Sequence, residues 1–212
     1  AEEQLPKSER DVAQLLEDYR TQLLVFRYEN KYVEERLDTI VPNSEREEYY
    51  NLHPDSFRGK NGVLRGRYVK MQNSSPNLQI MRKLAKSREI DDIDALEQLA
   101  YNSAYKYSNF NENWVDLNIV AKELGIPLDE LQKKMSEKIP VIEMADTVYT
   151  NLLQVLEYVE PGEVTPFEYN SEKIKEIIIS RRKQELLSNL QRDILIDALN
   201  NNKIKISDED EK

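Results

Sequence analysis

From Val12 onward, apolar side chains recur at strict 4-3 spacing: Val12, Leu16, Tyr19, Leu23, Phe26, Asn30, Val33, Leu37 and Ile40, with Asn30 the one polar member. A 3.5-residue repeat keeps one stripe of an α-helix turned toward a neighbouring helix. The spacing predicts a helix over 9–41, opened by Ser8 with Asp11 as an N-terminal cap and stopped by Pro42. Such a helix reaches about 50 Å at 1.5 Å per residue, more than a small globule covers, and so calls for a long companion. The other end of the chain offers one. Ser171 can cap a helix to about Asn200 whose apolar set includes Ile174, Ile177, Ile178, Leu186, Leu187, Leu190, Ile194, Leu195, Ala198 and Leu199. SRRKQE interrupts that stripe and is expected to lie beyond the partner's reach. KIKI at 203–206 alternates like a short strand.

The segment between these helices has a different rhythm. Ser44 and Glu47 form a capping box for a short helix, EREEYYNL, that ends before Pro54. VLRGRYVKM (63–71) reads as a strand. NLQIMRKLAKS and DIDALEQLAYNSAYKY read as helices, the second with Ile93, Leu96, Leu99, Ala100 and Ala104 on one face. ENWVDL reads as a short strand, and NIVAKELGI and LDELQKKMSEK as helices separated by Gly125 and Pro127. VIEMA, the turn Ala145-Asp146-Thr147, and VYTNLLQVLEYV read as a closing hairpin. The expectation is an α+β protein: a helical module from residues 1–57 and 167–206, an inserted α/β module at 58–166, and an acidic tail at 207–212.

Composition narrows the chemistry by exclusion. With 212 residues the chain can bury a core. Its formal charge is −10 and its acidic excess is spread along the chain, which opposes nucleic-acid binding. The densest basic stretch, RGKNGVLRGR (58–67), reads as a solvated linker entering a strand. Without Cys there is no disulfide, thiolate nucleophile or thiolate zinc site. His53 is the only histidine, so a multi-histidine metal centre is excluded, and its place before Pro54 makes a poor catalytic base. No phosphate-cradling glycine motif occurs, so neither cofactor nor metal is expected. No apolar run is long enough for a bilayer span. The opening AEEQLPKSER lacks an apolar targeting segment, which is expected either to have been removed or never to have been present.

Two segments carry a family resemblance. IVPNSEREEYYNLHPDSF, leading into VLRGRYVKM, resembles the stretch by which SurA/PpiC-type periplasmic chaperones enter a parvulin-type prolyl isomerase domain. VEPGEVTPFEYNSEKIKEII, with the long helix and KIKI after it, resembles the C-terminal run of that group. The resemblance implies a helical chaperone module built from both chain ends around a parvulin-like domain. It implies location in the periplasm or at the outer membrane of a Gram-negative bacterium, and unfolded or nascent envelope polypeptides as partners. Membrane attachment would come only through a possible N-terminal lipid anchor outside this chain. Active parvulins carry a histidine on the first strand, where this chain has Arg67 and Tyr68, and another on the closing strand, where VYTNLLQVLEYV has none. The parvulin-like domain is therefore expected to be degenerate and non-catalytic; the alternative is a divergent prolyl isomerase using other residues.

The stripe itself is read as the seam of an intramolecular helix pair rather than of a dimeric coiled coil. Asn30 either fixes its register or marks a break between packing partners. Beside it, Leu24, Tyr28 and Tyr32 form a second row at i, i+4, i+8. That row either packs against the rest of the chain or lines a cradle for unfolded polypeptide, a task suited to tyrosine's rigid face and polar tip. Tyr107, Phe110 and Trp114 are the further candidates for polypeptide contact, at the relic of the isomerase pocket or in an ordinary core.

Overall fold

The computed structural model describes residues 12–204. The fold is α+β, with long helices near both ends of the chain and an antiparallel sheet between them. It divides into two compact units, one containing residues 12–43 and 173–204 and the other residues 44–172.

In the first unit, helix α1 runs over Ala13–Arg36. It stops short of Pro42. Leu37 is extended, and the Ile40 amide donates to Asp38 Oδ1 at 2.9 Å. The carbonyls freed by this early stop find a cation from the far end of the chain. Arg182 Nη1 donates to Asp38 O at 3.0 Å and Ile40 O at 2.9 Å, and meets Asp38 Oδ2 at 3.3 Å. SRRKQE was expected beyond its partner's reach; instead its Arg182 holds the 38–40 segment, because a turn with exposed carbonyls needs donors. Arg182 lies on helix α7, Phe167–Asn200, which starts four residues before Ser171. Ser171 does not cap it: Asn170 Nδ2 turns back onto Thr165 O, Thr165 Oγ1 and Pro166 O, while Ser171 accepts from Arg46. The expected Ser8–Asp11 cap lies outside the described residues, as do 205 and 206 of KIKI. Lys203 and Ile204 are in no strand.

The second unit opens with helix α2 (Asn43–Leu52) and a 3-10 turn at Pro54–Phe57. Phe57 is buried, with its ring 5.2 Å from Tyr50 and 6.3 Å from Tyr49, and Tyr50 is 5.7 Å from Phe167. The Tyr50 hydroxyl donates to Thr165 O, and both the amide and hydroxyl of Thr165 donate to Phe57 O. The two sequence segments around Tyr50 and Thr165 thus fold against each other. Strand β1 is Val63–Gln72 and is followed by helices α3 (Leu78–Leu84) and α4 (Ile90–Ser103). Then come β2 (Lys106–Asn109), β3 (Val115–Asp116), α5 (Leu117–Leu124), α6 (Leu128–Ser136), β4 (Val141–Ala145) and β5 (Tyr149–Val159). The sheet order is β2-β1-β5-β4, with β3 also pairing with β1, and every pairing is antiparallel.

Strand alternation sorts β1 and β5 onto two faces. Leu64, Tyr68 and Leu153 meet Leu117, Val120, Leu131 and Met135 of α5 and α6. Val69, Met71 and Leu152 meet Leu78, Met81, Leu96 and Ala100 of α3 and α4. Tyr68 is fully buried, its hydroxyl donating to Asn151 Oδ1 at 2.8 Å and lying 3.1 Å from Glu123 O. Burial first, and then the charge of Glu123, pushes the Tyr68 phenol up to about 12. The unfolded chain releases this proton near pH 10, before the folded chain does, so stability is intact below pH 10 and drains away toward about 12. Alkaline unfolding followed by circular dichroism should therefore lose about 1.4 kcal/mol per pH unit more steeply in wild type than in Tyr68→Phe above pH 10. Equal slopes would show that Tyr68 does not titrate late.

Candidate functional site

In the first unit, Leu24, Val25, Tyr28 and Glu29 of α1 and Leu190, Gln191 and Ile194 of α7 line an apolar groove of about 470 Å³. Positions 24, 25, 28 and 29 share one helical face because they follow the i, i+1, i+4, i+5 pattern of a 3.6-residue turn. Leu190 is buried at the floor, whereas Leu24, Tyr28 and Ile194 are 56%, 55% and 51% exposed along the walls. Gln191 Nε2 donates to Glu29 Oε1 across the groove at 3.4 Å. The volume falls within the ordinary range of small-ligand and side-chain pockets, and one polar pair against five apolar walls gives a trough for aliphatic or aromatic groups. Next to it, Arg36, Leu37, Asp38, Arg182, Glu185, Leu186 and Asn189 line a more polar hollow of about 260 Å³.

Leu24 and Tyr28 therefore lie where a bound side chain could reach them. Tyr32 is one turn on and half-buried, its ring 6.4 Å from that of Tyr28 and covered by the Arg36 guanidinium at 4.3 Å. Val25, Glu29, Leu190, Gln191 and Ile194 complete the groove but were not singled out from the sequence as site residues. The signal for them was the shared face of 24, 25, 28 and 29, which the stronger 4-3 stripe overshadowed. That stripe is centred about 170° around α1 from the groove, at 100° per residue. Along 12–26 it is open to water: Leu16, Tyr19 and Phe26 are 61%, 64% and 60% exposed. The stripe is not the seam with α7 there; only further along is Val33 buried.

Tyr107, Phe110 and Trp114 do not share a pocket. Tyr107 packs at the edge of the α3–α4 face of the sheet and Phe110 against the α5–α6 face. Trp114 is half-buried beneath the Arg65 guanidinium, 5.9 Å from the ring centre. Tyr68 and Arg67 stand where an isomerase histidine was sought; Tyr68 is buried in the core, and Arg67 is 3% exposed. Its Nε is 3.3 Å from Glu97 Oε1 and its Nη1 donates to Gln154 Oε1 at 3.1 Å. Glu97 Oε1 also accepts from Tyr107 and Asn109, while Gln154 Nε2 donates to Ser87 O. Burial, and then the neighbouring Glu97 carboxylate, pushes the Tyr107 phenol far above its ordinary value. Tyr107 is thus held as a neutral donor, and Arg67, Glu97, Tyr107, Asn109 and Gln154 form one hydrogen-bond network anchored on Ser87 O. His53 lies apart, exposed and stacked 4.6 Å from the Tyr49 ring. Among the described residues, no three His, Cys, Asp or Glu side chains cluster to hold a metal ion, and no helix is long and apolar enough to cross a membrane.

No protein-family model matches the chain, and no curated protein matches it. Among solved structures it is similar to one from work on the virulence factor PEB4 and the periplasmic protein Cj1289 of Campylobacter jejuni, two structurally related SurA-like chaperones. The similarity spans 94% of this chain and 76% of that one, at 11% identity and a TM-score of 0.34.

Proposed function

We propose that this protein binds non-native polypeptide without catalysing a reaction, holding apolar side chains of the client in the groove between α1 and α7. The observation that carries the reading is the open trough walled by Leu24, Val25, Tyr28 and Ile194. A chain with net charge −10 that leaves this surface wet keeps itself soluble by repulsion while offering an apolar hold. Tyr28 adds a rigid face with a hydrogen-bonding tip, which suits clients of varied sequence. Tyr32, backed by Arg36, extends the aromatic row, and Tyr107, Phe110 and Trp114 are secondary contacts in this proposal. The sequence resemblance to SurA/PpiC proteins supports envelope polypeptides as clients, the Gram-negative periplasm or outer membrane as the location, and a degenerate parvulin-like role for 58–166. The commitment of Arg67 and Gln154 to Glu97 and Ser87 supports a domain that turns nothing over.

Suppression of thermal or dilution-induced aggregation of an unfolded envelope protein tests the reading. Leu24→Ser/Tyr28→Ser should weaken suppression several-fold while stability changes by no more than about 1 kcal/mol, since both side chains are more than half exposed. Full suppression by the double variant would refute groove binding. In the same preparation, a proline-peptide isomerisation assay should stay at the uncatalysed rate; clear acceleration would favour a divergent isomerase.

A further inference from the structure

The 4-3 stripe of α1 faces away from the groove, yet its spacing is the one a helix partner requires and a disordered client does not. Written as a heptad, Leu16, Leu23 and Asn30 take the a positions, and Val12, Tyr19 and Phe26 the d positions. Together with Leu15 on the flank, the five apolar members of this stretch are between 41% and 69% exposed. A lone polar residue at an a position, here Asn30, costs stability but selects register and two-strandedness when it meets its own copy. The flanking charges select orientation as well. In a parallel pair, Arg20 and Arg27 at e positions face Leu15 and Gln22 at g positions of the partner, and the one like-charge pair, Glu29 with Glu34, falls at the end of the stretch. In the antiparallel register that matches 12–30 with itself, Arg20 would face Arg27 and Asn30 would meet Val12 instead of its own copy.

From these features we infer that a second copy of this chain covers the stripe, the two α1 helices pairing in parallel and in register over about residues 12–30, with Asn30 against Asn30. The pairing leaves the opposite face of each α1, and with it Leu24 and Tyr28, open. It stands independently of polypeptide binding.

Sedimentation velocity and light scattering on the purified chain test it. A dimer is expected, with dissociation constant below about 10 µM. Leu23→Glu/Phe26→Glu places two charges per chain in the seam and should give a monomer with unchanged circular dichroism; Leu24→Ser/Tyr28→Ser should remain dimeric. Because the chain has no cysteine, Asn30→Cys supplies a unique thiol, and mild oxidation should produce a covalent dimer only if the helices are parallel and in register. A wild-type monomer at about 100 µM, well above that dissociation constant, overturns the proposal. So does a dimer that survives Leu23→Glu/Phe26→Glu, or one in which Asn30→Cys fails to cross-link.

Discussion

Alanine in place of Gly66 is expected to destabilise the sheet-bearing unit by about 4 kcal/mol, among the largest effects of any single methyl group in this chain. Gly66 sits in β1 at the point where its register with β5 shifts, next to Arg65. A Cβ there would press far inside contact distance on the carbonyl oxygen of Gln154, an atom of the neighbouring strand's backbone that cannot swing aside. Relief requires β1 and β5 to part locally, breaking ladder bonds worth about 1 kcal/mol each and loosening both helix-covered faces. Urea unfolding monitored by circular dichroism gives the number. Gly125→Ala is the contrasting case: its φ is +72° but nothing lies within 4 Å, so only the left-handed backbone is strained and the cost should be about 1 kcal/mol. If the two variants lost equal stability, crowding against Gln154 would not be the cause.

Removing the Glu97 carboxylate should be nearly as damaging. Glu97→Leu leaves the buried Arg67 guanidinium with only the neutral Gln154 oxygen, and strips Tyr107 and Asn109 of their acceptor. Breaking a buried pair from one side costs about 3–5 kcal/mol; since the Glu97 side chain is 30% exposed, the expected loss is at the lower end, about 3 kcal/mol. Replacing both members by apolar residues removes the stranded charge. Arg67→Leu/Glu97→Leu should therefore be more stable than Glu97→Leu alone by about 1–2 kcal/mol. Additive losses in a double-mutant cycle would show that Arg67 does not depend on Glu97.

The same residues explain what was legible in the sequence. Short apolar-rich runs bounded by turn residues, VLRGRYVKM and the closing hairpin, placed β1, β4 and β5 with little error; both faces of this sheet are covered, so apolar residues of β1 and β5 fall on both faces rather than alternating. KYSN was hidden at the end of a run that reads as helix: β2 is four residues long, and its pairing with β1 is set by a partner some forty positions earlier. The end of α1 at Arg36 was likewise unreadable, since no local breaker occurs before Pro42 and the stop is stabilised by Arg182. For the candidate site, periodicity identified the apolar rows of α1 but not which row meets α7. A 4-3 repeat states that a helix is wanted, without naming which helix, and here the row with the weaker repeat, around Leu24 and Tyr28, took the neighbour within the chain.

Arg182 also imposes an order on synthesis. It grips Asp38 O across a sequence separation of 144 residues. At about 5–20 residues per second, a ribosome that has just released α1 needs on the order of ten seconds more to deliver that guanidinium. Throughout this interval α1 has no clasp, while the β1–β5 sheet can close behind it. α1 is made before the sheet and fastened after it, so a nascent chain halted before residue 182 would display α1 without its mate.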